Sequence, residues 1–142
     1  MKIIVYALAL IAGMSLSLEA AIGGALGENI GELESTYFIF IIGAMATFLI
    51  ALFFGKGDVK QITKVPRWQL IGGVLGVIYL AFLIISVNLV GVGTAVTAVI
   101  IGQLVMSMIV DHFGWLGTPK ARFNVNRLIA GGLLIASLFL IL

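Results

Sequence analysis

One acidic residue stands inside a long apolar stretch of the sequence. Glu19 is the only charged residue between Ile3 and Leu26. A charged carboxylate in hydrocarbon is costly, so an acidic residue at such a position usually has a functional task. Because burial favours the protonated form of a carboxyl group, Glu19 is suited to exchanging a proton for a cationic or polar ligand. The alternative is a structural Glu19, which donates one hydrogen bond inside a helix bundle or stays hydrated near the membrane surface.

Other polar side chains extend this candidate site. On a helical wheel Ser15 falls on the same face as Glu19. The predicted proton- and substrate-binding residues are Glu19, Gln103, Ser15, Ser107 and Tyr79. For Gln103, a hydrogen bond between two helices that fixes their register is an alternative interpretation.

Charged and titratable residues also meet near the end of the chain. Asp111 and His112 follow one apolar segment, and Arg127 begins the last one. An ion pair between Asp111 and Arg127 would form a cytoplasmic gate or, as the pattern favours, a clamp between two helix ends. With one His and no Cys, we predict no metal site and no disulfide. No phosphate-binding loop, catalytic triad or paired carboxylates occur, so we predict neither an enzyme nor a cofactor.

Five apolar segments must position these residues. Hydrophobic residues make up 62% of the chain and charged residues 10%, whereas a soluble domain carries about 25% charge. An apolar helix of about 20 residues spans a bilayer, and only helices or closed barrels satisfy their backbone there. We therefore predict an all-α integral membrane protein with one transmembrane domain over residues 1–142. Its predicted helices lie at about 3–26, 37–54, 70–87, 89–110 and 125–142.

The basic residues all fall on one side of this topology. They are Lys2, Lys56, Lys60, Lys64, Arg67, Lys120, Arg122 and Arg127. The other side has no Lys or Arg and holds Glu28, Glu32 and Glu34 in a predicted loop, with Ser35 as the predicted N-cap of helix two. Because Lys and Arg are retained in the cytoplasm, we predict a cytoplasmic N-terminus, an outside C-terminus and a bacterial inner-membrane location. Topology thus accounts for the basic residues, and we expect no nucleic-acid partner.

Small residues indicate where helices pack, because they let transmembrane backbones approach closely. The predicted packing positions are Gly13, Ser17, Gly72, Gly76 and Gly102. In helix two, Gly43, Thr47 and Ala51 form a similar stripe. Since the stripe of Gly13 and Ser17 points away from Glu19, helix one has a packing face and a separate polar face.

Three segments resemble a known family. They are SLEAAIGGALG in helix one, RWQLIGGVLGV at the start of helix three and, most specifically, GQLVMSMIVDHFGW from Gly102 to Trp115. With Arg127 and Gly131, they make nearly the whole chain similar to the YdcZ-type family of five-helix bacterial membrane proteins, in the drug/metabolite transporter superfamily. Glu19 and Gly23 depart from that family's pattern, which more often has Gln and Asn at these positions.

The resemblance implies half of an inverted-repeat transporter that works as an antiparallel dimer. Because all eight basic residues lie on one side, we expect the oppositely oriented homologous subunit to be a different chain, as a heterodimer rather than a homodimer. The predicted function is a secondary transporter subunit that moves a small organic solute, with cations as a candidate class, coupled to protons through Glu19. The alternatives are a non-transporting helper subunit of a membrane complex and a small channel.

Overall fold

A computed structural model describes residues 2–115 and 125–141 of the chain. The helices are α1 (Lys2–Ile30), α2 (Glu32–Phe54), α3 (Gly72–Val90), α4 (Val92–Phe113) and α5 (Val125–Ile141), with two 3₁₀ turns, Val59–Thr63 and Arg67–Ile71, between α2 and α3. Four helical segments are long and apolar enough to cross a membrane, namely Ile3–Ile30, Glu32–Phe54, Arg67–Val90 and Val92–Phe113. A shorter apolar stretch, Leu128–Ile141, lies in α5. The prediction of an all-helical membrane protein is confirmed.

The predicted loop around Glu28, Glu32 and Glu34 is wrong. One residue, Gly31, separates α1 from α2, with φ 102° and ψ 147°, a conformation that favours glycine. The Gly31 N–H still donates to the Gly27 carbonyl at 2.8 Å, so the backbone of α1 stays hydrogen-bonded up to the break. The three glutamates therefore lie in helix ends, where Glu32 and Glu34 complement the N-terminal dipole of α2.

Ser35 is not the N-cap of α2, contrary to prediction. The helix begins earlier, with Gly31 in the cap position. The Ser35 hydroxyl is buried and donates to the Gly23 carbonyl of α1 at 2.8 Å. A buried hydroxyl needs a partner, and here a neighbouring helix supplies it.

A single glycine also separates α3 from α4. Gly91 has φ 80° and ψ 162°. Asn88, which falls between the predicted helices at about 70–87 and 89–110, lies within α3 instead. At the other end of α4, Gly114 adopts the left-handed conformation with φ 65°, and its N–H donates to the Val110 carbonyl. Such a glycine is a common way to end a helix.

The chain divides into two compact units, Met1–Leu89 and Val90–Leu142. In the second unit α4 packs against α5. At this contact, a Cβ atom added to Gly131 of α5 would lie 3.3 Å from the Leu104 side chain of α4. The single domain that the sequence suggests remains a prediction.

The first unit is packed at one end and open at the other. Its buried residues are Ala20, Gly23, Gly24, Gly27, Ser35, Thr36, Leu80, Leu83, Ile84 and Val87. They lie in residues 20–40 and 80–88, which we call the closed half. In contrast, residues 3–15 of α1 and 41–54 of α2 are exposed throughout, and we call them the open half.

Glycines bring α1 and α3 together in the closed half. A Cβ atom on Gly24 would lie 2.5 Å from Val87 Cγ1 and 3.1 Å from Asn88 Oδ1. One on Gly27 would lie 3.0 Å from Ile84 Cγ2. Real Cβ contacts under 3.0 Å essentially never occur, so the present helix separation requires glycine at position 24.

The glycines that the sequence predicts as packing positions do not take part in this α1–α3 contact. At Gly13, Gly72 and Gly102, an added Cβ would meet no other described atom within 4 Å, leaving aside the nearby backbone of the same helix. At Gly76 it would lie 3.4 Å from the ring of Phe40. The Ser17 hydroxyl donates to the Gly13 carbonyl of its own helix at 3.2 Å. Packing of Gly13 and Gly102 against a partner chain stays a prediction.

Candidate functional site

Glu19 lies at the border between the closed and the open half. It precedes the fully buried Ala20 by one position and is itself half-buried. Two open grooves between α1 and α2 share it. The Thr47 groove, of about 580 Å³, is lined by Glu19, Ile39, Phe40, Gly43, Ala44, Thr47, Phe48 and Ala51. The Ser15 groove, of about 460 Å³, is lined by Ser15, Leu18, Glu19, Ile22, Ile39, Ile42 and Gly43.

Small residues of α2 form part of the walls of these grooves. Gly43 borders both, and Ala44 and Ala51 border the Thr47 groove. Their short side chains leave room beside Glu19, while Phe40 and Phe48 supply aromatic surface. The stripe of Gly43, Thr47 and Ala51 that the sequence suggests for packing therefore lines a groove next to the carboxyl group.

The grooves contain few polar groups. The Ser15 hydroxyl donates to the Ile11 carbonyl in its own helix at 3.0 Å, and its oxygen can still accept a hydrogen bond. In the described part of the chain, the Glu19 carboxyl group has no hydrogen bond or ion pair. The structure thus brings Ser15 and Glu19 into one groove, with the carboxyl group available to a ligand.

Tyr79 of α3 adds a second unsatisfied polar group. Its hydroxyl is buried and has no hydrogen-bond partner among the described residues. Tyr79 interacts electrostatically with Glu19, although it is not among the residues that line the two grooves. Because buried polar groups are nearly always hydrogen-bonded, an unpaired hydroxyl near a carboxyl group indicates a place that a ligand or water can complete.

Gln103 and Ser107 lie on α4, in the second unit, and are exposed. The Ser107 hydroxyl donates to the Leu104 carbonyl of the same helix at 2.8 Å. That Gln103 and Ser107 belong to the same binding site as Glu19 stays a prediction.

The predicted cytoplasmic gate or clamp is only partly within the described residues. Asp111 is half-buried and His112 is exposed, both in the last turn of α4. The His112 ring meets the Phe113 ring edge-on at 5.1 Å, and Phe113 stacks on Trp115 at 5.2 Å. The side chain of Arg127 lies outside the described residues, and so does the predicted ion pair.

Sequence reasoning missed the aromatic part of the site and found no donor set for a metal. Phe40 and Phe48 are eight positions apart on α2, a helical spacing that could have placed them on one face with Ala44. Within residues 2–115 and 125–141, no group of three His, Asp or Glu side chains is arranged to hold a metal ion. The arrangement is suited to binding an apolar molecule that carries a polar or positively charged group.

Comparison with known proteins gives one result. A family model described as "Putative inner membrane exporter, YdcZ" matches residues 4–140. No curated protein and no solved structure matches the chain.

Proposed function

Since the chain belongs to the YdcZ family of inner membrane exporters, we propose that it is a secondary transporter subunit for a small organic solute. The solute binds in the grooves beside Glu19, and Glu19 couples its movement to protons. Proton and solute compete for one carboxyl group, because a positively charged or hydrogen-bonding solute is best held by the deprotonated form.

One observation carries this proposal, namely the surroundings of Glu19. The carboxyl group lies in two open, largely apolar grooves and has no hydrogen-bond or ion-pair partner in the described part of the chain. It interacts electrostatically with Tyr79, whose hydroxyl has no hydrogen-bond partner among the described residues. A structural Glu19 would instead be expected to hold a hydrogen bond within the bundle. Phe40 and Phe48 line the Thr47 groove, and because aromatic rings attract cations, they favour an organic cation as the substrate class.

The proposed working unit is an antiparallel pair of homologous subunits. Each subunit then supplies one half of the inverted repeat that many transporters hold in one chain. Because this chain has eight basic residues on one side of its topology and none on the other, the partner is a different chain with the reverse charge distribution. Gln103 and Ser107 contribute to the binding site within this assembly.

Flux measurements on Glu19→Gln test the coupling. The chain is purified through an affinity tag with any associated subunit and reconstituted in liposomes that hold a pH-sensitive dye. Ethidium, an organic cation, is applied under a pH gradient. We expect saturable, pH-driven ethidium flux for the wild type and none for Glu19→Gln, since Gln cannot carry a proton. Glu19→Asp should keep the flux and shift its pH dependence.

Glu28→Gln is the matched control, because it makes the same chemical change at an exposed helix end and should leave the flux unchanged. Normal pH-driven flux in Glu19→Gln would make Glu19 a structural residue. An ohmic conductance in the wild type would indicate a channel, and neither flux nor conductance across a panel of organic solutes would indicate a helper subunit.

Fusion reporters test the proposed orientation. The charge distribution supports an orientation with Leu142 outside and residues 55–68 in the cytoplasm. Alkaline phosphatase, which is active only outside the cytoplasm, should therefore be active when fused after Leu142 and inactive when inserted after Gly57. The opposite activities would reverse the topology.

A further inference from the structure

The segment between α2 and α3, residues 55–71, is ordered by local hydrogen bonds and exposed at every residue. The Lys60 N–H donates to Asp58 Oδ1 at 3.0 Å, and the Lys64 N–H donates to the Gln61 carbonyl at 2.9 Å. These bonds cap the two ends of the first 3₁₀ turn. The segment thus has a defined backbone although its side chains have no cover.

Apolar residues in this segment recur at the spacing of a 3₁₀ helix, in which residues three apart lie on one face. In the first turn these are Val59, exposed by 79%, and Ile62, exposed by 52%. In the second turn they are Trp68 and Ile71, each about half exposed. Each turn therefore presents a small apolar face that nothing in the described chain covers.

The charges of the segment are nearly all positive. It carries four basic residues, Lys56, Lys60, Lys64 and Arg67, against one acid, Asp58. The Asp58 carboxylate already accepts the Lys60 N–H. Most of the positive charge is therefore left to act on a partner outside the chain.

The position of the segment identifies that partner. The span of α2 ends at Phe54, and the next apolar segment begins at Arg67 with the second 3₁₀ turn, before α3 itself starts at Gly72. Residues 55–66 must therefore lie at a membrane surface, whichever side of the membrane that is, and the turn Arg67–Ile71 lies where the next span enters the membrane. We propose that residues 55–71 lie in the plane of that surface and bind anionic lipid headgroups. Lys60, Lys64 and Arg67 contact the headgroups, while the apolar faces enter the boundary between headgroups and acyl chains, as in interfacial amphipathic segments. This proposal does not depend on the transport function.

Trp68 provides a direct test, because the chain has only one other tryptophan, Trp115. In a Trp115→Phe variant, which keeps an aromatic ring beside Phe113, Trp68 is the only tryptophan and is excited selectively over the tyrosines. The variant is placed in nanodiscs of phosphatidylcholine with a fixed fraction of phosphatidylglycerol. In one sample the phosphatidylglycerol is brominated near the headgroup, and in a second sample the phosphatidylcholine is. We expect brominated phosphatidylglycerol to quench Trp68 more strongly at equal mole fraction, with an enrichment of about five-fold at a basic contact.

Two sets of variants separate charge from insertion. Lys60→Gln, Lys64→Gln and Arg67→Gln combined should remove the preference for phosphatidylglycerol, whereas Lys60→Arg with Lys64→Arg should retain it. Val59→Ser with Ile62→Ser should shift Trp68 emission to longer wavelength in lipid. Circular dichroism checks that each variant keeps its helices. The proposal would be overturned if the two lipids quench Trp68 equally when the loop is wild type. It would also be overturned if the triple Gln variant keeps the same preference for phosphatidylglycerol. If the Ser substitutions leave Trp68 emission unchanged, the apolar faces do not insert into the membrane, and that part of the proposal is overturned.

Discussion

The closed and the open half of the first unit share helices α1 and α2 and have similar apolar residues, yet only the closed half includes residues of α3 and is packed. In the closed half Ala20 and Ile84 have no exposed surface, and a serine hydroxyl bonds across to a backbone carbonyl. In the open half, Gly13 and Gly43 have free space where a Cβ would lie. Apolarity therefore does not decide where these helices meet. Close approach of the backbones decides it, as expected where lipid competes for apolar surface.

The contrast also explains the position of Glu19. A carboxyl group within the closed half would need a fixed partner, because it would be sealed from water and ligand. One deep in the open half would face lipid. At the border, α1 is held firmly on one side while the grooves on the other side stay open. A border position thus combines a fixed backbone with access for a ligand.

The largest effect on stability should come from filling the α1–α3 contact. Gly24→Ala places a Cβ 2.5 Å from Val87 Cγ1, and valine is too stiff to turn away. We expect a loss of about 1–3 kcal/mol in the free energy of unfolding, as for other overpacked sites. Unfolding in mixed detergent and SDS micelles measures it.

The matched control is Gly13→Ala in the open half. It makes the same change in the same helix but meets no described side chain, so the higher helix propensity of alanine should add up to about 1 kcal/mol. The two substitutions should therefore have opposite signs. If both stabilise the protein, the closed half is not tightly packed.

A second prediction separates packing within the chain from packing against the proposed partner. Gly13→Leu should not destabilise the isolated subunit, since an added Cβ at Gly13 meets no described neighbour there and leucine, like alanine, favours a helix over glycine. If Gly13 instead lies against the oppositely oriented subunit, the bulky side chain should weaken the association about tenfold.

Energy transfer between labelled subunits in liposomes measures this association. Phe54→Leu, an exposed apolar change at the end of the open half, serves as the control. Unchanged association in Gly13→Leu would remove Gly13 from the interface.

The sequence allowed the helices to be predicted but not their contacts. Segment length and apolarity identify a spanning helix without any knowledge of its neighbours, and the predicted spans agree with α1 to α4 apart from their ends. The predicted ends are wrong near Gly31, where the polar residues indicate a loop but lie in the ends of two helices. A helix that leaves the hydrocarbon can keep its backbone hydrogen bonds while its glutamates reach water.

The candidate site was predictable only in part, for a related reason. Glu19 is conspicuous because charge is rare in an apolar segment. The glycines of α1 that contact α3 are not conspicuous in this way, because α1 carries two sets of small residues, one with Gly13 and one with Gly24. Spacing alone does not show which set faces α3. The role of Ser35 likewise depends on a carbonyl twelve positions away in the chain, which no local pattern reveals.

The smallest expected effect concerns the hydrogen bond of Ser35. Ser35→Ala removes a buried bond of 2.8 Å between α2 and the Gly23 carbonyl of α1. We expect a loss of only about 0.6 kcal/mol, the average for hydrogen bonds between membrane helices. The loss is small because Gly23 lies within α1, so its carbonyl keeps its place in the helical hydrogen bonding.

Ser86→Ala is the matched control, because that hydroxyl bonds to the Phe82 carbonyl of its own helix at 2.7 Å. Its removal breaks no contact between helices and, given the helix propensity of alanine, should not destabilise the protein.

A double-mutant cycle that combines Ser35→Ala with Gly24→Ala adds a sharper measurement. If the hydroxyl and the α1–α3 contact stabilise one closed half, the two substitutions should be non-additive by more than about 0.5 kcal/mol. Strict additivity would mean that α2 and α3 pack on α1 independently, and the closed half would then be two separate contacts that share a helix.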